Sequence, residues 1–192
     1  RIYNDTIGVA GTHGKTTTTS MFSSVLLAAE TDPTISVGGI LEAIGGNIRV
    51  GKSETFITEA CEYTNSFLSF YPTMSIILNI EEDHMDFFKD LDDIMNSFRM
   101  FAKKLPKDGV LVINKEIKDY EKIVEGLECK VITYGMDPSC TYHAENIQFN
   151  AQGYGEFDVM HHHTKLGHIV LSVPGQHNVS NALAVICAAR KL

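Results

Sequence analysis

The chain has 192 residues, 44% of them hydrophobic, with four cysteines and no tryptophan; that suits one substantial globular domain and leaves no room for two large ones. A formal charge of −8 argues against general nucleic-acid binding, which wants a basic face, and no stretch approaches the roughly 18 apolar residues of a membrane span. With no signal-peptide pattern at the start and no metal or redox spacing among Cys61, Cys129, Cys140 and Cys187, reduced thiols and a cytoplasmic location are expected.

In chain order, Thr6 to Val9 reads as a strand and Thr17 to Glu30 as a helix, with Met21, Phe22, Val25, Leu26 and Ala29 at three-to-four spacing. Thr34 to Val37 is a second strand, and the glycines between Leu41 and Ser53 predict a loop with a small hairpin around Asn47 to Val50. Glu54 to Thr58 and Met74 to Leu78 are further strands, each running into a polar cluster. A helix over Asp92 to Leu105 is expected, capped near Asp92 or Asp93. Gly109 to Ile113 and Lys130 to Tyr134 predict strands, with a helix over Asp119 to Gly126 between them. Such alternation argues an α/β fold with a doubly wound, mostly parallel sheet. Residues 141–173 read differently, as short strands broken by Gly153, Gly155 and Gly167. A small antiparallel sheet near the C-terminal part is expected there, closed by a helix from Asn178 to Leu192.

The stretch DTIGVAGTHGKTTTTS at 5–20 organises the rest. Strand, glycine loop, Lys-Thr and helix form the phosphate-cradling arrangement of nucleotide triphosphatases, a P-loop. Gly11, Thr12, His13, Gly14 and Thr17 would wrap backbone N–H groups around phosphate oxygens at a helix N-terminus. Lys15 would reach the β- and γ-phosphates and the Thr16 hydroxyl would ligate Mg²⁺. The pattern is imperfect, since Val9 stands where the strict motif has glycine.

Ligands of open α/β sheets collect at the carboxyl ends of the strands. Two more polar clusters fall at such ends, Glu59 to Glu62 and Asn79 to Asp86. Glu59 follows its strand directly and is the favoured metal ligand, with Glu62 read as a solvated loop charge. His84, between Asp83 and Asp86, reads as a metal ligand or substrate contact. His161-His162-His163 reads as a polar edge strand or turn, because one strand cannot aim three consecutive side chains at one ion. Asn178 and Ser180 could cap the last helix, and asparagines there could equally pair with an adenine edge.

GTHGKTTT at 11–18, TEACEY at 58–63, NIEEDHMD at 79–86 and PGQHNVSNALA at 174–184 together resemble the central ATP-binding domain of the Mur ligases, over essentially the whole chain. His13 in the loop favours the alanine-adding branch, or the related murein-tripeptide recycling ligases, over members that carry Asn there. The resemblance implies ATP and Mg²⁺ as cofactors, with UDP-N-acetylmuramate and L-alanine as substrates of the full-length enzyme in peptidoglycan precursor synthesis. The charge and the lack of an apolar span lead to the expectation of no nucleic-acid and no membrane partner. The resemblance further implies that Lys15 stabilises the transferring phosphoryl group, that Thr16 and Glu59 hold one Mg²⁺, and that His84 helps hold a second. His177, Asn178 and Asn181 would contact adenosine. Several Mur ligases place a carbamoylated lysine about fifteen residues past the DHxD histidine; counting from His84 reaches Arg99, which cannot form a carbamate. The flanking UDP-binding and amino-acid-ligase domains of the family are absent from residues 1–192, so a domain inactive alone in the full reaction is expected. A folylpolyglutamate-type ligase is a further enzyme reading and a nucleotide-binding switch module a non-ligase one. Against a GTPase, Asn114-Lys115 continues as Glu116-Ile117 and gives no Asn-Lys-x-Asp motif.

Overall fold

Apolar runs without alternation demand burial on both faces, and three of them lie side by side among further parallel strands in the computed structural model, which describes residues 3–192. β1 (Asp5–Ala10), β2 (Thr34–Leu41), β4 (Thr55–Glu59), β5 (Met74–Ile77), β6 (Val110–Asn114) and β7 (Lys130–Gly135) run parallel in the order β7-β6-β5-β1-β4-β2. The short β3 (Gly46–Arg49) folds back antiparallel on β2 and forms one edge, which is the expected hairpin.

Side chains of period two divide the core between the two faces of this sheet. Ile7, Val9 and Val112 point to one face, where α1 (Lys15–Ala28) and α4 (His177–Ala189) supply Phe22, Leu26, Val179 and Leu183. Ala10, Leu111 and Ile113 point to the other, covered by α2 (Leu91–Ala102), α3 (Glu121–Val124) and a 3₁₀ stretch over Tyr63–Ser69. Phe67, Phe98 and Phe101 pack there as an aromatic cluster, with Phe67 stacked on Phe101 at 4.6 Å.

The antiparallel part continues the main sheet. β8 (Tyr142–Phe149) pairs parallel with β7 at Tyr134 and Gly135, and β9 (Tyr154–His161) and β10 (Thr164–Pro174) add antiparallel strands, giving one ten-stranded sheet. These strands are longer than expected. Gly153 makes the turn between β8 and β9 instead of breaking a strand, and Gly155 sits inside β9, where its missing side chain admits Phe149 and Val179. β9 ends at His161, and His162 and His163 form the turn into β10, as expected.

Several boundaries move for local reasons. α1 starts two residues early, at Lys15. Its buried face includes Thr18, Thr19 and Ser23 beside Phe22 and Leu26, whereas Val25 is exposed; hydroxyl-bearing residues, not the apolar ones alone, let this helix approach the sheet. α2 is capped by Asp90, not by Asp92 or Asp93: Asp93 donates its N–H to Asp90 Oδ1 at 2.9 Å, and Asp93 Oδ2 accepts the Lys89 N–H at 3.2 Å. α3 is one turn only, because Asp119 and Gly126 on either side adopt left-handed backbone.

Candidate active site

β1 lies between β4 and β5, and the chain leaves it in one direction and later returns on the other side. This is the switch point of a doubly wound sheet, where diverging loops open a crevice. The register aligns the strand ends there: Val9 pairs with Glu59 across β1 and β4, and Ala10 with Ile77 across β1 and β5. The three polar clusters of the sequence therefore emerge together.

The glycine loop is held from below by the segment after β5. Asn79 accepts the His13 N–H at 2.8 Å and returns its own amide to the His13 carbonyl at 2.9 Å. Its carbonyl takes the Thr12 N–H at 3.1 Å, and the Thr12 hydroxyl accepts the Glu81 N–H at 2.9 Å. Asn114, at the end of β6, donates to the Leu78 carbonyl at 3.0 Å and so steadies the strand from which Asn79 projects. Nothing in the sequence singled out Asn114 beyond the GTPase motif it fails to complete. The loop's last residue, Gly14, is left-handed at φ 83 and caps α1 through its backbone alone. No acidic residue stands in the first turn and no side chain caps it. The first N–H groups of a 14-residue helix, with their partial positive charge, are open to an anion. The His13 side chain is exposed and faces Glu81 at 3.8 Å.

Lys15 starts that helix, and its partner corrects the sequence reading. Glu62, expected to be a solvated loop charge, is 2% exposed and holds Lys15 Nζ with both oxygens, at 3.1 and 3.0 Å. Its Oε1 also stands 3.9 Å from His84 Nε2. Periodicity could not show this, because Glu62 lies past the end of β4 and is folded inward by two successive left-handed residues, Thr64 and Asn65. His84 is left-handed too, at φ 52. Its ring lies against Tyr63, with centroids 4.5 Å apart, and Tyr63 donates its hydroxyl to Asp86 at 2.9 Å. That bond raises the Tyr63 pKa from its ordinary value, chiefly because the phenol donates to a carboxylate.

Glu59 and Thr16 lie at a different point, beside the pair Gly38-Gly39 within β2. Glu59 Oε1 accepts the Gly38 N–H, and the exposed Thr16 stands beside Gly39. A hydroxyl and a carboxylate beside a phosphate loop are the oxygen donors Mg²⁺ takes from protein. Among the described residues no three His, Cys, Asp or Glu side chains form a metal cage. Thr16 and Thr17 also open onto a cleft of about 580 Å³ that runs between α1, α4 and β10.

The start of α4 differs from expectation. The helix begins at His177, and neither Asn178 nor Ser180 caps it. Asn178 is buried and donates to the Pro174 carbonyl at 2.7 Å; Asn181, also buried, donates to Asn178 at 3.0 Å. Asn181 lies directly behind the phosphate loop, where a Cβ on Gly14 would sit 3.2 Å from its Oδ1. His177 is exposed beside Gly175. Arg99 does not reach the site: it turns outward to Glu125 at 3.5 Å.

Comparison with known proteins supports the same frame. The family described as Mur ligase middle domain matches residues 9–189. The chain is 57% identical over 192 residues to a UDP-N-acetylmuramate–L-alanine ligase of Lachnospira eligens, covering all of this chain and 42% of that protein. Among solved structures it is similar to a UDP-N-acetylmuramate:L-alanyl-gamma-D-glutamyl-meso-diaminopimelate ligase from Neisseria meningitides, with TM-score 0.85, 32% identity, and 96% of this chain and 60% of that one covered. It is also similar to a UDP-N-acetylmuramate-alanine ligase from Thermotoga maritima, with TM-score 0.83 and 28% identity over 97% of this chain and 41% of that one.

Proposed function

The chain belongs to the Mur ligase family, and we propose that it is the ATP-binding part of an enzyme joining L-alanine to UDP-N-acetylmuramate in the cytoplasm, for peptidoglycan precursor synthesis. The chain spans about two-fifths of the length of the curated relative described above. UDP recognition and delivery of the amino acid are assigned to regions of such ligases that residues 1–192 do not cover. The alanine-adding assignment is supported by the 57% identity to a curated alanine ligase; the two solved structures, at 28% for an alanine ligase and 32% for the tripeptide enzyme, fit either branch.

The observation that carries this reading is the gathering of Lys15, Glu62 and His84 over an open helix N-terminus at the switch point of the sheet. The reaction starts when a substrate carboxylate oxygen attacks the γ-phosphorus of ATP; the bond to the β-phosphate oxygen breaks, giving an acyl phosphate and ADP. The amine then attacks the acyl carbon, and inorganic phosphate leaves as the amide closes and the amine loses its proton. Little covalent work falls to the protein, so positioning and charge neutralisation dominate. The loop N–H groups and the α1 N-terminus hold the phosphate oxygens, and Lys15 follows the negative charge of the transferring group. Asn79 and Thr12 fix the loop, and Asn181 backs it at Gly14. Thr16 and Glu59 would hold one Mg²⁺ and His84 a second, supplying positive charge to the phosphates. His177, Asn178 and Asn181 form the adenosine side, Asn181 by shaping the loop as much as by direct contact.

The test is ADP release by a ligase of full family length containing this chain, given UDP-N-acetylmuramate and single amino acids. Release that depends on L-alanine is expected; release driven equally by a tripeptide, or independent of the uridine nucleotide, refutes the assignment. In the same enzyme Glu59→Ala is expected to raise the Mg²⁺ concentration needed for half-maximal rate. An unchanged Mg²⁺ titration would remove Glu59 from the metal shell.

A further inference from the structure

Lys15 is already saturated. Its ammonium group has three N–H donors shared among four acceptors, the carbonyls of Gly11 and Thr12, at 2.5 and 3.3 Å, and the two Glu62 oxygens. A phosphate that takes Lys15 as partner must therefore displace one of them. The carbonyls belong to the loop and stay with it. Glu62 is the one charged partner, and it is almost completely buried, so its attraction for the lysine is little screened by water.

The backbone around Glu62 is built to keep it there. Thr64 and Asn65 are both left-handed, at φ 54 and 58, a conformation that costs free energy in residues with a Cβ. The Asn65 N–H bonds back to the Glu62 carbonyl at 2.9 Å, and the Asn65 side chain accepts from Ser97 on α2. Strain in the backbone, a turn closed on Glu62 and an anchor on the buried Ser97 of α2 all hold one carboxylate against Lys15.

We propose that Glu62 is a positioning residue that occupies Lys15 as an internal anion, so that nucleotide binds by displacing it and Glu62 sets nucleotide affinity through Lys15. The inference rests on the reading of Lys15 as the phosphate-binding lysine. Glu62 keeps the lysine extended over the loop before nucleotide arrives, and the incoming phosphates must compete with it for Lys15. Once Lys15 turns to phosphate, Glu62 is left facing His84, 3.9 Å away, which gives its charge a second neighbour.

Calorimetric titration of the chain with ATP, in EDTA so that no Mg²⁺ held by Thr16, Glu59 or His84 contributes, tests this with four proteins: wild type, Glu62→Gln, Lys15→Met and the double variant. Glu62→Gln keeps the shape and removes the charge; it should tighten ATP binding roughly tenfold, within the coupling range of groups sharing one network. In the Lys15→Met background the same substitution should have no effect. Unchanged or weaker binding by Glu62→Gln overturns the proposal, as does equal tightening with and without Lys15, which would mean direct repulsion of ATP. Lys15→Met binding ATP as tightly as wild type is a distinct result, because it removes Lys15 from the phosphate site and with it the underlying reading. Should Glu62→Gln fail to fold, Glu62→Asp decides: it draws the carboxylate back by one methylene, and tighter binding supports the proposal while unchanged or weaker binding overturns it.

Discussion

The parallel half of the sheet and the β8–β10 ribbon spend their polar residues in opposite ways. In β1, β5 and β6 almost every residue is buried, so charge is expelled to the strand ends, where parallel direction gathers it at one edge. Lys15, Glu62, His84 and Asn79 meet there from three separate stretches of chain. β10 instead alternates between exposed and half-buried positions along its length. Its charges stay on the strand face, where Asp158 of β9 takes Lys165 and His168 at 2.8 Å and Asn146 at 2.9 Å. Antiparallel pairing distributes polar groups as ties between strands; parallel pairing concentrates them into a site.

Removing a lysine from each cluster should separate the two most sharply. Lys15→Ala leaves the Glu62 carboxylate buried without its partner and is expected to cost about 3–5 kcal/mol in denaturant unfolding. In a ligase of full length it should abolish acyl-phosphate formation, and near-normal turnover would contradict the role given to Lys15. Lys165→Ala removes a cation that is half exposed, with 53% of its side-chain surface accessible, and should cost less than about 1 kcal/mol. Equal losses at the two positions would erase the contrast.

Two glycines with nearly the same backbone give a finer comparison. Gly14 and Gly153 have φ of 83 and 80, so alanine carries a similar backbone penalty of about 1 kcal/mol at each. A Cβ at Gly14 also presses on Asn181 at 3.2 Å, whereas at Gly153 its nearest neighbour is Pro174 at 3.8 Å, an ordinary contact. Gly14→Ala should therefore lower both melting temperature and ATP affinity, and Gly153→Ala only the former. Loss of ATP affinity in Gly153→Ala would mean that the ribbon's turn is coupled to the loop.

The smallest expected effect is in acid. Hydrogen bonds from Lys165, Asn146 and His168 hold the Asp158 carboxyl well below the usual carboxylate range. A group whose folded pKa is depressed stabilises the fold fully above its unfolded pKa of about 4. That stability is lost as pH falls through the lower folded value. Wild type should lose stability more steeply than Asp158→Asn below about pH 4, with the gap between them closing as the acid strengthens. Parallel pH–stability curves for the two proteins would show that Asp158 contributes no pH-linked stability.

The site was partly legible in the sequence. The loop 11–17 and the clusters after β4 and β5 were readable as chemistry at strand ends, because glycine, lysine and carboxylate spacing carries its own physical reason. Glu62 was misread, since neither composition nor period announces a chain that turns inward through two left-handed residues with side chains. Asn114 was invisible because its work is done by side-chain hydrogen bonds, accepting from the Glu116 N–H and donating to the Leu78 carbonyl, 36 residues back in the chain, just past the neighbouring β5. Asn178 and Ser180 matched a capping pattern that the helix did not use, because the chain could bond Asn178 to Pro174 and set Asn181 behind the loop.

The sequence by itself determined the parallel sheet, the helix-borne phosphate loop and the kinship of the chain, because apolar period and motif spacing are local properties that survive without coordinates. Which carboxylate meets the lysine was decided only in three dimensions. Glu59 and Glu62 are three residues apart, yet one accepts the Gly38 N–H within β2 and the other is buried against Lys15. The difference arises from a strained turn anchored to α2, and that anchor exists only once the helix has packed on the sheet.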